Sequence, residues 1–438
     1  MEEENKYKSL KEEWHLSKYN LFAEIPNTNQ VGCVNLLRGS CSIMTSEEAS
    51  KLKSGVLSKH FIDQGYIINY DETEALEFLS RKSCGFSKTL TLTICPTMGC
   101  NFDCPYCFEK HRTGKMSLEI QNKVVNFVKK IIAKGGIKTI HVTWFGGEPL
   151  LAVDVIESLS EKLLEIANQK NIYYDADIVT NGYLLTQQIA DMFLRVKINK
   201  CQITLDGIGE GHDKTRHLVN NGPTFNKIVD NLTNIKFRIN ISIRHNVYAD
   251  NTNEIEPLKK LVQEIIKKSG NNLYYYSAFT NDADSAMERE KTINYLNIED
   301  FYSYEINRKI QSFQAYNGTY CGAHTLTFIV IDELGNLYKC WEDLGRIENS
   351  FGRVEFWDIS NPLATSKNPQ ILIKYINTGG AIRDKECLDC IWLPTCQGGC
   401  PHRRLFYDKV CISYKNKPEE FVLKYIKYRQ QQEKMKNK

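Results

Sequence analysis

The sequence predicts an α/β chain built around a parallel sheet, and three observations carry that expectation. Strand-like runs alternate with helix-length periodic segments through the middle of the chain. Short polar motifs fall just after those strand-like runs, the end at which such sheets keep their functional groups. Most of the cysteines gather in two clusters instead of scattering. At 438 residues the chain exceeds what a single small core supports, so a catalytic core with appendages is expected.

The candidate strands are Leu90–Ile94, Thr139–Phe145, Asp175–Val179, Lys200–Leu205, Arg238–Arg244 and Leu273–Ser277. Between them lie periodic segments of helical length at Ser117–Ala133, Val153–Gln169, Thr186–Arg195, Thr224–Ile235 and Ile255–Lys268. This alternation means βα units and a parallel sheet, open or curled into a barrel. The region before it mixes short alternating apolar runs with a charged helical pattern around Glu47 to Lys59, which reads as a small α+β module. The region from about Thr319 onward is rich in cysteine and turn residues and ends in a Lys-rich helix, Glu419 to Lys438, expected to be solvated or frayed and not a nucleic-acid arm. The division expected is 1–88, 89–310 and 311–438.

Composition is that of an ordinary globular protein, 42% hydrophobic and 25% charged, and 56 Lys+Arg against 53 Asp+Glu leave a net charge of +3. Bulk charge therefore gives nucleic-acid binding no support. Met1 to Lys8 is charged with no apolar stretch behind it, and no run approaches the roughly 20 apolar residues that span a bilayer. A cytoplasmic location without a membrane span is expected. With no export signal, 15 cysteines in tight groups point to metal binding before disulfides.

Cys100, Cys104 and Cys107 are spaced x3 then x2 in a loop after the first strand, so three thiolates can converge on one compact turn. Structural zinc wants four closed ligands, whereas a [4Fe–4S] cluster held by three keeps one iron open to a cosubstrate. Cys95, at the end of an apolar strand, reads as a buried thiol instead. The run Cys100-Asn-Phe-Asp-Cys104-Pro-Tyr106-Cys107, with its aromatic residue before the last cysteine, resembles the signature of the radical S-adenosylmethionine superfamily. That resemblance implies a partial (β/α)6 TIM-like barrel and reductive cleavage of S-adenosylmethionine to a 5′-deoxyadenosyl radical.

It also implies where the cosubstrate rests. Gly146-Gly147-Glu148-Pro149 resembles the family's GGEP motif, in which glycines permit close backbone approach and Glu148 accepts from the ammonium group. Thr180-Asn181-Gly182 lies in the segment that the family also uses at the cofactor. Thr204-Leu-Asp-Gly207 followed by His212-Asp-Lys-Thr-Arg216 resembles its (S/T)-x-D-G and H-D-x-x-R pair, with Thr204 and Arg216 toward the carboxylate and ribose.

Cys321-x13-Gly335-x4-Cys340, Cys387-x2-Cys390-x5-Cys396-x3-Cys400 and Cys411 resemble, position by position, the seven-cysteine SPASM extension of some members of the superfamily. Three [4Fe–4S] clusters in all are implied, one radical-generating and two auxiliary. The family's crossed ligation gives Cys387, Cys390, Cys396 and Cys411 to one auxiliary cluster and Cys321, Cys340 and Cys400 to the other. The second set is one ligand short, leaving an open iron for a substrate thiolate or a place for a noncysteine side chain or a movable cysteine. The rival for this region is a zinc ribbon.

Within residues 90 to 415 the wording Trp144-Phe145-Gly-Gly-Glu-Pro-Leu-Leu151 and Gln202-Ile-Thr-Leu-Asp-Gly207 resembles maturases of ribosomally made peptides, above all those that form sulfur-to-carbon thioethers of the sactipeptide and ranthipeptide kind. The partners implied are a precursor peptide with a leader and an electron donor such as flavodoxin or ferredoxin. The amino-terminal segment would then be a winged-helix-like leader-recognition module that pairs with the leader strand to strand, or a plain cap on the barrel. Alternatives are an anaerobic sulfatase-maturing enzyme, a radical peptide epimerase and a noncatalytic iron–sulfur protein. The sulfatase-maturing relatives place an acidic base directly after the second cysteine of the SPASM pattern. This chain has Trp341 there, with Glu342 and Asp343 out of register.

Overall fold

The computed structural model describes residues 13–85, 87–247, 249–279, 306–307, 309–316, 321–378, 381–407, 409 and 411–436. The charged start Met1 to Lys8 and the expected onset at Thr319 lie outside them.

A short strand, β1 (His15–Leu16), leads into an antiparallel sheet of β2 (Asn20–Glu24), β3 (Gln30–Asn35) and β4 (Cys41–Thr45), in that order. Thr45 and Glu48 form a capping box that starts α1 (Ser46–Lys53). The charged pattern expected to continue to Lys59 breaks at Gly55, whose φ of +76° suits a residue without Cβ, and Ser58 caps a separate helix, α2 (Lys59–Asp63). A strand β5 (Ile67–Ile68) then pairs with β1, and α3 (Glu72–Gly85) closes the module.

The central sheet follows the expected alternation. Strands β6 (Thr89–Ile94), β7 (Thr139–Trp144), β8 (Tyr173–Thr180), β9 (Ile198–Thr204), β10 (Asn240–Val247) and β11 (Leu273–Phe279) are parallel and neighbour one another in sequence order. They are joined by α4 (Leu118–Ala133), α5 (Val153–Gln169), α6 (Gln187–Arg195), α7 (Glu210–Asp213), α8 (Phe225–Asn234) and α9 (Ile255–Ser269). Alternate strand residues such as Leu90, Leu92, Ile140, Val142, Ala176 and Ile178 enter one core with Val124, Val128, Leu159 and Leu163 of the helices. The intervening residues, among them Thr91, Thr93, His141, Thr143, Asp175 and Asp177, take the opposite, polar face.

The sheet does not stop at six strands. From the cysteine-rich region, β12 (Phe328–Ile331) pairs parallel with β6, in register from Phe328 against Thr91 to Ile331 against Ile94. Strands β13 (Asn336–Tyr338) and β14 (Gly352–Arg353) follow antiparallel, giving nine strands.

The expectation of a solvated tail is corrected. Helix Pro418–Lys436 buries Phe421, Val422, Tyr425 and Ile426 against the N-terminal sheet and Trp392, because these four side chains make one stripe on its first turns. A Cβ on Gly32 of β3 would stand 2.1 Å from Ile426 Cδ1, so glycine is what lets helix and sheet meet. Among the described residues no helix is long and apolar enough to cross a membrane.

Candidate active site

Each motif sits at the carboxyl end of a parallel strand: the first cysteines after β6, the glycine pair after β7, Thr180 and Asn181 at the end of β8, and Thr204 at the end of β9. Cys95 is wholly buried, its thiol against Thr97 O, in keeping with a packing role. Burial pushes the thiols of Cys100 and Cys107 up to about 12 and raises Cys104, so these groups are protonated until a metal displaces the proton. The loop is fastened along its length: Phe102 bridges Leu218, Asp103 N donates to His217 O, and Val219 N donates to Asn101 O.

Gly146 and Gly147 serve this loop directly. A Cβ on Gly146 would lie 2.3 Å from Cys95 Sγ, and one on Gly147 would lie 2.2 Å from Gly99 O. The glycine pair thus packs against the cysteine loop, and Glu148 N donates to Gly99 O at 2.8 Å. The Glu148 carboxylate is fully buried. Its Oε1 accepts from Thr180 Oγ1 at 2.6 Å and Leu150 N at 2.9 Å, and its Oε2 from Asn181 N at 2.7 Å. Burial raises its pKa against these bonds, and Oε2 keeps room for one more donor. Thr180 and Asn181 therefore hold Glu148 in place, and Asn181 Nδ2 also reaches Asn101 Oδ1 at 2.8 Å.

Opposite stands a network that sequence reading only partly found. The Arg216 guanidinium, 9% exposed, donates from Nη1 to the Tyr106 hydroxyl at 2.8 Å and lies over the Phe102 ring, while its Nε has no partner among the described residues. The Tyr106 hydroxyl donates to the buried carboxylate of Asp206, which also takes Thr215 Oγ1 and Asn246 N. His212 is buried between Asp206 N and Thr224 Oγ1, and burial drives its pKa well down, so it is a neutral brace. Asp213 caps the chain at Thr224 and Phe225. Thr204 is buried at the end of β9, opposite Arg244 in register.

Three rings connect the chemistry-bearing loops. Phe108, after Cys107, stacks on Phe145 at 6.4 Å, and Phe145, before Gly146, stacks on Trp341 at 4.5 Å. Beside them Glu109 has a buried Oε2 without a partner among the described residues, and burial, then Glu148 and Glu333, push its pKa up to about 8. Only its place directly after Cys107-Phe108 could have flagged it.

Cys387, Cys390, Cys396 and Cys411 line one pocket with Trp392, Gly398 and Lys415. Arg404 Nη1 lies 3.6 Å from Cys387 Sγ, and Lys415 is raised chiefly by Cys411 and Cys390, so cations surround these sulfurs. Burial first, with a lesser contribution from Cys400, raises the thiols of Cys321 and Cys340. Glu342 and Asp343 turn toward His402, at 3.3 and 3.4 Å, and Asp343 is fully buried, accepting from Tyr375 and Asn349. Among the described residues no three His, Cys, Asp or Glu side chains converge as a single metal ion requires. A pocket lined by four thiols suits a larger cluster, whose ligands stand farther apart. The unpartnered Arg216 Nε and the remaining acceptor site on Glu148 suit the carboxylate and ammonium of S-adenosylmethionine.

Residues 94–262 match the model of the Radical SAM superfamily. A cysteine-type anaerobic sulfatase-maturating enzyme of Clostridium perfringens is 25% identical over 368 residues, covering 74% of this chain and 94% of that protein. The radical SAM cyclopropyl synthase TigE of Paramaledivibacter caminithermalis is 24% identical over 158 residues, 32% of this chain. The chain spans about a third of the length of TigE and of an uncharacterized Synechocystis protein that it also matches, 33% and 34% respectively. Among solved structures, native anSMEcpe with bound AdoMet and Cp18Cys peptide is similar in fold, with a TM-score of 0.58 at 21% identity, over 78% of this chain and 97% of that one.

Proposed function

We propose that this chain, whose residues 94–262 match the model of the Radical SAM superfamily, is a radical SAM enzyme that matures a ribosomally made precursor peptide by forming sulfur-to-carbon thioether crosslinks. Cys100, Cys104 and Cys107 would hold the first [4Fe–4S] cluster, and Glu148 with Arg216 would orient S-adenosylmethionine, with Gly146, Gly147, Thr180, Asn181 and Thr204 shaping its seat. When bound and reduced by one electron, the cosubstrate supplies a 5′-deoxyadenosyl radical that removes hydrogen from a substrate carbon. Cys387, Cys390, Cys396 and Cys411 would ligate one auxiliary cluster, and Cys321, Cys340 and Cys400 the other. Electrons would come from a flavodoxin or ferredoxin.

The observation that carries the thioether reading is Trp341. An aromatic ring stacked on Phe145 stands where the formylglycine-forming relatives have a base, and Asp343, two residues on, is locked into a buried network. Sulfatase-type maturation is the second reading, favoured by the alignment along 94% of the Clostridium perfringens enzyme. Leader recognition would fall to β4, which among the described residues pairs only with β3 and so leaves an edge for an extended peptide.

Anaerobic coexpression with a cysteine-containing precursor, read by mass spectrometry, separates the readings. Thioether formation predicts deoxyadenosine and loss of two hydrogens per link with sulfur retained. Loss of the cysteine sulfur would establish formylglycine formation instead, and an unchanged residue that takes up solvent hydrogen would establish epimerisation. Replacing Cys100, Cys104 and Cys107 by alanine should abolish deoxyadenosine while auxiliary-cluster absorption persists.

A further inference from the structure

Resting on the auxiliary-cluster reading above, we propose that the imidazole of His324 is the fourth protein ligand of the cluster held by Cys321, Cys340 and Cys400. A cubane held by three thiolates has one iron without a protein ligand, and no cysteine stands just upstream of Cys321 to fill it. His324 lies three residues after Cys321, at the end of the single 3-10 turn Gly322–His324 that Cys321 caps, and its backbone N–H donates to Cys321 O at 3.2 Å. That bond closes one turn of chain between the two residues.

The side chain is 3% exposed, and its Nε2 is buried with no hydrogen-bond partner among the described residues. A buried ring nitrogen left unpaired costs free energy, and in folded proteins such an atom ordinarily meets an ordered water or a bound ligand. The surroundings are those of the three cysteines. Helix Pro369–Thr378 packs on the turn, and its Tyr375 lies within electrostatic reach of Cys340 and Cys400. Lys339 in turn is a neighbour of both Cys321 and His324.

A second wholly buried imidazole, His402, follows Cys400 by two residues and likewise has both ring nitrogens without a hydrogen-bond partner among the described residues, but Glu342 and Asp343 stand 3.3 and 3.4 Å from them at ion-pair distance. Among the described residues His324 has no such ion pair. A neutral imidazole in place of a thiolate leaves the cluster one negative charge poorer and raises its reduction potential. Such a cluster is the better acceptor for the electron that crosslinking releases. It also requires a substrate thiolate to displace the imidazole before it can bind that iron.

The test uses the full chain with Cys100, Cys104 and Cys107 replaced by alanine, so that only auxiliary clusters form. The protein is reconstituted without S-adenosylmethionine and reduced, and electron spin-echo spectra are compared for natural-abundance and 15N-histidine-labelled samples. The expected result is a strong nitrogen coupling that changes with the label, survives His402→Ala, and disappears in His324→Ala and His324→Cys. The His324→Cys protein should keep its cluster at a lower midpoint potential. A well-formed cluster with no histidine coupling, or a coupling that persists in His324→Ala, overturns the ligand assignment alone. Absence of any iron–sulfur spectrum in the parent protein overturns the cluster reading and the ligand with it.

Discussion

Trp341 donates its indole N–H to the hydroxyl of Thr93 at 2.7 Å, which ties the residue after Cys340 to the polar face of β6. The same ring stacks on Phe145, so its position is fixed from two sides. Trp341→Ala should leave deoxyadenosine formation without peptide within about two-fold, because the side-chain hydrogen bonds that hold Glu148 and Arg216 run to Thr180, Leu150, Asn181 and Tyr106. Formation of modified peptide should fall about ten-fold or more, since a small loss of substrate position costs rate steeply. Trp341→Phe, which keeps the stack, should recover most of it. Parallel assays of deoxyadenosine and modified peptide check this, and equal losses in both would count against a substrate-positioning role.

Thr180→Val removes one of the three donors to the buried Glu148 carboxylate at nearly constant volume. Loss of a hydrogen bond to a buried charged group costs about 1–3 kcal/mol, so affinity for S-adenosylmethionine should weaken about ten-fold. Thr180→Ser should restore it. Equilibrium dialysis of the reconstituted protein measures the change, and unchanged binding in the valine variant would refute the bracing role.

His141 lies between Asp175 Oδ2 at 3.1 Å and Asp177 Oδ2 at 3.4 Å, and Thr143 Oγ1 is 3.4 Å from the ring. The bond to Asp177 is the main cause that raises its pKa above the ordinary histidine value. A histidine whose folded pKa is raised contributes stability that is full below the unfolded pKa and is lost as pH rises through the folded one. The stability gap between wild type and His141→Gln should therefore be widest near pH 5–6 and close above neutrality. Urea midpoints across that range check the sign, and a gap that widens with pH would contradict it.

Gly32 and Ile426 share one small space. Gly32→Ala alone should cost about 1–3 kcal/mol by overpacking, and Ile426→Ala alone about 2–5 kcal/mol by truncation. Together they should cost less than their sum by about 0.5–3 kcal/mol, because the new methyl enters the vacated volume. Denaturant unfolding of the four proteins closes the cycle, and strict additivity would argue against direct contact.

The parallel strands were legible because each is a short run with turn signals behind it, and the cysteine groups because ligand spacing is local. What lay outside sequence reading is long in range. Tyr106 meets Asp206 and Arg216 across 100 and 110 residues, and no local pattern announces such a partner. Strand β12 joins β6 from the far end of the chain, although its run Phe328–Ile331 looks like any short apolar strand. Thr180 and Asn181 were found as motif residues, yet their bonds to Glu148 became visible only once β7 and β8 were side by side. The tail misled because Lys and Gln dominate its composition, while Phe421, Val422, Tyr425 and Ile426 carry its packing.

That packing bears on how the protein is made. Leu21, Ala23 and Val34 of the antiparallel sheet share a core with residues of helix Pro418–Lys436, which is synthesised after all nine strands of the central sheet. During synthesis this apolar face is open to water while the central sheet emerges and folds behind it. The antiparallel module is thus made before the central sheet and sealed after it, and premature termination before Pro418 leaves it unsealed, a sticky surface for quality control to recognise.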